Sequence, residues 1–89
     1  MSQPIKNKQI AFEVYNRLGL KYWKLLIPFK LKVTKAKIKK QKNSSVTYYQ
    51  YVIRHNEDIY YTEPEKENHL IYFNLYKKLK WLHHELTSN

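Results

Sequence analysis

The stretch Phe29–Lys42 reads FKLKVTKAKIKKQK, with lysine at 30, 32, 35, 37, 39, 40 and 42 and Phe29, Leu31, Val33, Ala36 and Ile38 between them. Alternation of this kind describes an extended strand whose apolar side chains dock on a core while its ammonium groups face outward. The phase slips after Val33, from odd apolar positions to Ala36 and Ile38. One extra residue would restore the core face, so a bulge is predicted at Thr34 or Lys35. Without it, Lys35, Lys37 and Lys39 would point inward, which is tolerable only if the strand leaves the body as a protruding two-stranded arm.

Charge makes the stretch more unusual. No Asp or Glu occurs between Glu13 and Glu57, and inside that gap lie Arg17, Lys21, Lys24, the seven lysines above and Arg54. The 89-residue chain carries a formal charge of +10. Self-repulsion of that size is most easily relieved by an anionic partner, of which nucleic acid is the commonest, ahead of anionic lipid and acidic protein surfaces. Lysine on an edge strand can also serve merely to prevent sheet-to-sheet aggregation. Eleven basic residues in an acid-free interval exceed what that role needs.

A 43% share of apolar residues supplies one modest core and no second domain. Cysteine is absent, which excludes disulfides and thiolate chemistry. The longest apolar run, Leu25–Pro28, is far short of the roughly 20 residues that span a bilayer, and MSQPIKNK lacks the apolar centre of a secretion signal. A soluble, cytoplasmic protein is expected, with no membrane partner.

Outward from the basic stretch, Gln41–Ser45 has turn composition and Val46–Arg54 (VTYYQYVIR) is the most strand-like run, so the two arms form a hairpin. On the second arm Thr47, Tyr49, Tyr51 and Ile53 share one face, and Val46, Tyr48, Gln50 and Val52 the other. At least one tyrosine therefore sits opposite the core. His55–Asp58 reads as a turn before a short strand, Ile59–Tyr61. Thr62, Pro64 and Glu65 have the spacing of a capping box, predicting a helix from Glu63 to Leu86 with a seam at Tyr72, Leu75, Leu79, Leu82 and Leu86.

Toward the N-terminus, Lys21–Ile27 (KYWKLLI) reads as a strand that meets the next at Pro28. Ile10, Ala11, Val14, Tyr15 and Leu18 give a short helix over 8–18, with Asn7 as cap and Gly19 as the left-handed stop. Residues 1–7 are expected to be a flexible tail. The whole describes one α+β domain: a short N-terminal helix, a three- or four-stranded antiparallel sheet and a long C-terminal helix. The order α-β-β-β-α resembles the double-stranded-RNA-binding domain in outline. That family places lysines at the start of its second helix, where this chain has Glu63, Glu65 and Glu67, and no family is identified.

The functional expectation is a non-enzymatic protein that binds DNA or RNA through Lys21, Lys24, Lys30, Lys32, Lys35, Lys37, Lys39, Lys40, Lys42 and Arg54, with Tyr49 and Tyr51 available to stack on bases. An alternative is an interaction or inhibitor protein of viral or plasmid type, docking on an acidic surface of a nucleic-acid-processing machine. The seam of Leu75, Leu79, Leu82 and Leu86 either packs on the chain's own sheet or pairs with a second copy as a homodimer. His83 and His84 are adjacent and diverge on a helix, and His55 and His69 lack neighbours at ligand spacing, so neither metal nor cofactor is expected. No glycine-rich phosphate loop and no Ser-His-Asp spacing offers a catalytic group.

Overall fold

A computed structural model of the chain describes residues 4–38 and 46–88, with side chains from Lys8 onward in the first segment. Two helices and three strands follow one another as α1 (Pro4–Leu25), β1 (Lys32–Ile38), β2 (Tyr48–His55), β3 (Asp58–Tyr61) and α2 (Asn68–Thr87). The strands form one antiparallel sheet in the order β1-β2-β3. This is the α+β architecture expected from the sequence, with three strands. Lys39, Lys40, Lys42 and the turn at Gln41–Ser45 lie outside the described residues, as do residues 1–3.

The N-terminal helix is twice the length that local signals indicated. It starts at Pro4, within the expected tail, passes the proposed cap Asn7 and the proposed stop Gly19, and absorbs most of the stretch read as a strand, Lys21–Ile27. The reason is tertiary. Phe12, Tyr15, Gly19, Tyr22 and Leu26 recur at three and four residues, and this seam meets α2 along its length. Phe12 stands edge-on to Tyr72 at 4.7 Å between ring centroids, Tyr15 lies against Phe73 at 4.6 Å, and Tyr22 lies against both Tyr76 and His83. Residue numbers climb together on both helices, so α1 and α2 run parallel. Gly19 is buried in this seam, facing Tyr76, with room for a Cβ at ordinary contact distance. Packing of this kind overrides the strand preference of Tyr22 and Trp23.

Pro28 falls in a 3-10 turn, Ile27–Phe29, and not between two strands. Lys30 closes that turn in the left-handed region (φ 56°, ψ 48°), its N–H donating to the Ile27 carbonyl at 3.0 Å. The chain then enters β1. At the β2–β3 turn Asn56 also takes a left-handed φ of 56°, which asparagine tolerates better than most residues.

Pairing of β1 with β2 runs unbroken from Lys32↔Arg54 to Ile38↔Tyr48, so the bulge expected at Thr34 or Lys35 is absent. A bulge occurs on the other side of β2. Beyond Val52↔Tyr61, Tyr51 meets Thr62 in register, yet Tyr49 pairs with Glu65 instead of Pro64, so one extra residue sits in the segment after β3. Pro64, which has no N–H to give a ladder, occupies that irregularity. Consequently α2 begins six residues after Thr62, at Asn68, and Thr62 is a buried sheet residue whose Oγ1 accepts the Tyr51 N–H at 2.8 Å. The three glutamates do not form the first turn of the helix. Glu67 stands at its N-cap position without a side-chain capping bond.

One face of the sheet is covered by α2, and α1 packs along α2 and reaches the core through Tyr22 and Trp23. Leu26, Leu31, Ile53, Leu79 and Leu82 form the buried centre, with Trp23, Val33, Tyr60, Leu75 and Leu86 packed around it. The seam of α2 is therefore turned into the chain's own core, with Leu79 at 1% exposure and Leu82 at none. Leu75 and Leu86, the other two leucines of the seam, are half-buried. Trp81, next to Leu82, is 44% exposed.

Candidate nucleic-acid interface

The register of the sheet decides where each cation goes. Leu31, Val33, Lys35 and Lys37 alternate onto the helix side, opposite Ile53, Tyr51 and Tyr49, while Lys32, Thr34, Ala36 and Ile38 face away with Arg54, Val52, Gln50 and Tyr48. The phase slip in the sequence is thus not corrected by a bulge: β1 outgrows the core. Its first helix-side residues, Leu31 and Val33, are buried or half-buried, and its next two, Lys35 and Lys37, are exposed. The outcome is lysine on both faces of β1 and no single ammonium ladder, and the protruding two-stranded arm is not seen, since β2 is flanked on its other side by Thr62 and Glu65 opposite Lys35 and Lys37.

Several of the expected residues come together and others do not. Lys32 and Arg54 are direct cross-strand partners on the open face, and Lys30 lies in the tight turn just before them. Lys35 and Lys37 occupy the opposite face, and the Lys35 ammonium stands 4.9 Å from the centre of the Tyr49 ring. Lys21 and Lys24 lie apart on the outer surface of α1, where with Arg17, Leu20 and Leu25 they line a shallow groove. The helical spacing 17, 21, 24 gives them a common stripe. Among the described residues the ion pairs are Lys8–Glu67 at 3.0 Å and His69–Glu67 at 3.5 Å. None of the described candidate cations is held by a carboxylate.

The two tyrosines singled out from the sequence both have partners within the chain. Tyr51 packs edge-on to Tyr72 (6.2 Å), and burial, reinforced by a hydrogen bond and charge coupling to Tyr72, raises its phenol well above the ordinary value. Its N–H is held by Thr62. Tyr49 is half-buried, tied to Glu65 through the backbone and covered by Lys35. Both belong to the helix side of the sheet. The tyrosines of the open face are Tyr48 on β2 and Tyr61 on β3, the latter 55% exposed. Alternation along Val46–Arg54 was the signal for Tyr48; for Tyr61 the sequence carried none, because the four-residue strand β3 has no period long enough to read.

The histidines are dispersed. His83 lies against Tyr22 at 5.7 Å, His55 stands edge-on to Phe29 at 6.2 Å, and His69 faces Glu67. Among the described residues no three His, Asp or Glu side chains converge on a point, and no helix is long and apolar enough to cross a membrane.

Among the described residues, fold and surface define an α+β protein with α2 on one sheet face, α1 parallel to it, and a basic edge strand whose cations meet no carboxylate. Comparison with family models, with curated proteins and with solved structures finds no match for the chain.

Proposed function

We propose that the protein is a small, non-enzymatic, cytoplasmic nucleic-acid-binding protein that engages the phosphate backbone through its basic hairpin, with weak preference for sequence. The observation that carries this reading is the state of its cations: Lys30, Lys32, Lys35, Lys37 and Arg54 are all exposed, and none meets a carboxylate. Exposed ammonium and guanidinium groups that carry condensed anions in solution exchange them for phosphates, and release of the counterions drives binding. Lys21 and Lys24 extend the positive field along α1.

The test is affinity for DNA and RNA against salt. A log–log slope of several units is expected, and the double variant Lys32→Gln/Arg54→Gln should reduce it by about two. Absence of any complex at low salt overturns the reading.

A second reading, docking on an acidic protein surface, is favoured by one feature. β1 is an edge strand with lysine on both faces, so an acidic segment added to its free edge would find cations on either side. A partner that stays bound after nuclease treatment supports it, whereas a nucleic-acid binder loses its company.

A further inference from the structure

The sheet face turned away from the helices has a composition of its own. Reading across the strands in register, its rows are Lys32–Arg54–Ile59, then Thr34–Val52–Tyr61, then Ala36–Gln50 and Ile38–Tyr48. Among the described residues Lys32 and Arg54 stand at one end of it and Glu63, two residues beyond Tyr61 and lining the same groove, at the other, while Asp58 pairs with His55 and so alternates to the helix side. One end is cationic, the floor is apolar, and a tyrosine lies over the edge strand.

We infer that this face is a platform for single-stranded nucleic acid, with bases stacked on Tyr61 and Tyr48 and the backbone drawn by Lys32 and Arg54. The inference rests on the nucleic-acid reading above and names the form that is bound. Three features select a single strand. A phosphate surface has no use for the apolar floor of Val52, Ala36 and Ile38, whereas the flat faces of unpaired bases do. Tyr61 is 55% exposed, more than a ring retained for packing needs. Along β2, Val52, which faces Tyr61, and Tyr48 are four residues apart, roughly 13 Å at the rise of a strand, so bases between the two rings can lie over Gln50, whose amide can both donate and accept.

A duplex can offer its phosphates to the basic hairpin but not its base faces to a tyrosine.

The experiment uses the full chain, a labelled oligothymidylate and a duplex of equal length at one low salt concentration. Tighter binding of the single strand is expected. Tyr61→Ala should weaken it by about 5- to 150-fold, the equivalent of one lost base stack, with duplex binding unchanged, and Tyr61→Phe should restore it. Equal affinity for both forms, or a Tyr61→Ala variant that binds the single strand like wild type, overturns the platform and leaves the phosphate-binding reading standing. Self-association that Tyr61→Ala abolishes in sedimentation also overturns it. Failure of the wild type to bind either nucleic acid overturns both readings.

Discussion

Tyr49 and Glu65 exchange both of their backbone hydrogen bonds, the Tyr49 N–H donating to the Glu65 carbonyl at 2.7 Å and the Glu65 N–H to the Tyr49 carbonyl at 2.9 Å. This pair keeps the chain extended beyond β3 and sets where α2 can begin. Capping-box residues at Thr62 and Glu65 favour an earlier helix. They lose because unpairing two buried-edge backbone groups and the Thr62 acceptor costs more than a helix cap, worth about 1 kcal/mol, returns.

Thr62→Val tests that balance. Valine matches threonine in shape but cannot accept the Tyr51 N–H, now satisfied at 2.8 Å beside a hydroxyl that is 3% exposed as a residue. The orphaned donor should cost about 1–3 kcal/mol. Urea unfolding should show a lower midpoint for Thr62→Val and a near-normal one for Thr62→Ser.

Gly19→Ala should stabilise the protein. A Cβ at this position would stand 4.0 Å from the Cα and Cβ of Tyr76, an ordinary contact, and the residue lies inside a continuous helix. The gain in helix propensity is about 0.5–1 kcal/mol. Thermal melting that drops instead of rising would show that α1 breaks at Gly19.

Neighbouring residues of α2 should differ sharply. Leu82 is wholly buried and Trp81 is 44% exposed, touching Tyr60 at 5.7 Å and covered by the Lys78 ammonium at 4.9 Å. Leu82→Ala should cost about 2–5 kcal/mol through lost burial and a cavity. Trp81→Ala should cost only the aromatic contact, about 0.5–1.5 kcal/mol. A larger loss for Trp81 in chemical denaturation would mean the helix is rotated from the orientation described.

Acid should loosen the start of the helix pair. The hydrogen bond from Lys8 holds the Glu67 carboxyl below the ordinary glutamate range. A depressed carboxylate contributes stability above the unfolded pKa of about 4.3, and that contribution is lost as pH falls through the lower folded value. Both groups are on the surface, so the effect is local and weakened by salt. An NMR titration should find the Glu67 carboxyl titrating below free glutamate, and Lys8→Gln should return it to the ordinary range.

Sequence reading and structure part company at identifiable residues. The hairpin, the β3 strand and the leucine seam were legible because each rests on contacts between residues near in sequence or on an unbroken period. Tyr22 and Trp23 misled because aromatic residues favour strands unless a partner helix is present, and α2 supplies that partner some fifty residues later. Gly19 misled for the same reason, since a seam glycine and a stop glycine look alike until Tyr76 is placed against it. In the candidate site, the cations were found by counting charge, while the side of the sheet on which Tyr49 and Tyr51 stand was not legible, because period-two alternation does not say which face meets the core.

The amino-acid sequence by itself determined the α+β class, the central hairpin and the excess of positive charge, because alternation, turn composition and ionisation are properties of residues and their near neighbours. Only the tertiary structure decided the length of α1, the late start of α2 and the division of lysines between the two sheet faces. Those depend on which distant segments pair, and one residue of register moves every side chain of a strand to the other side.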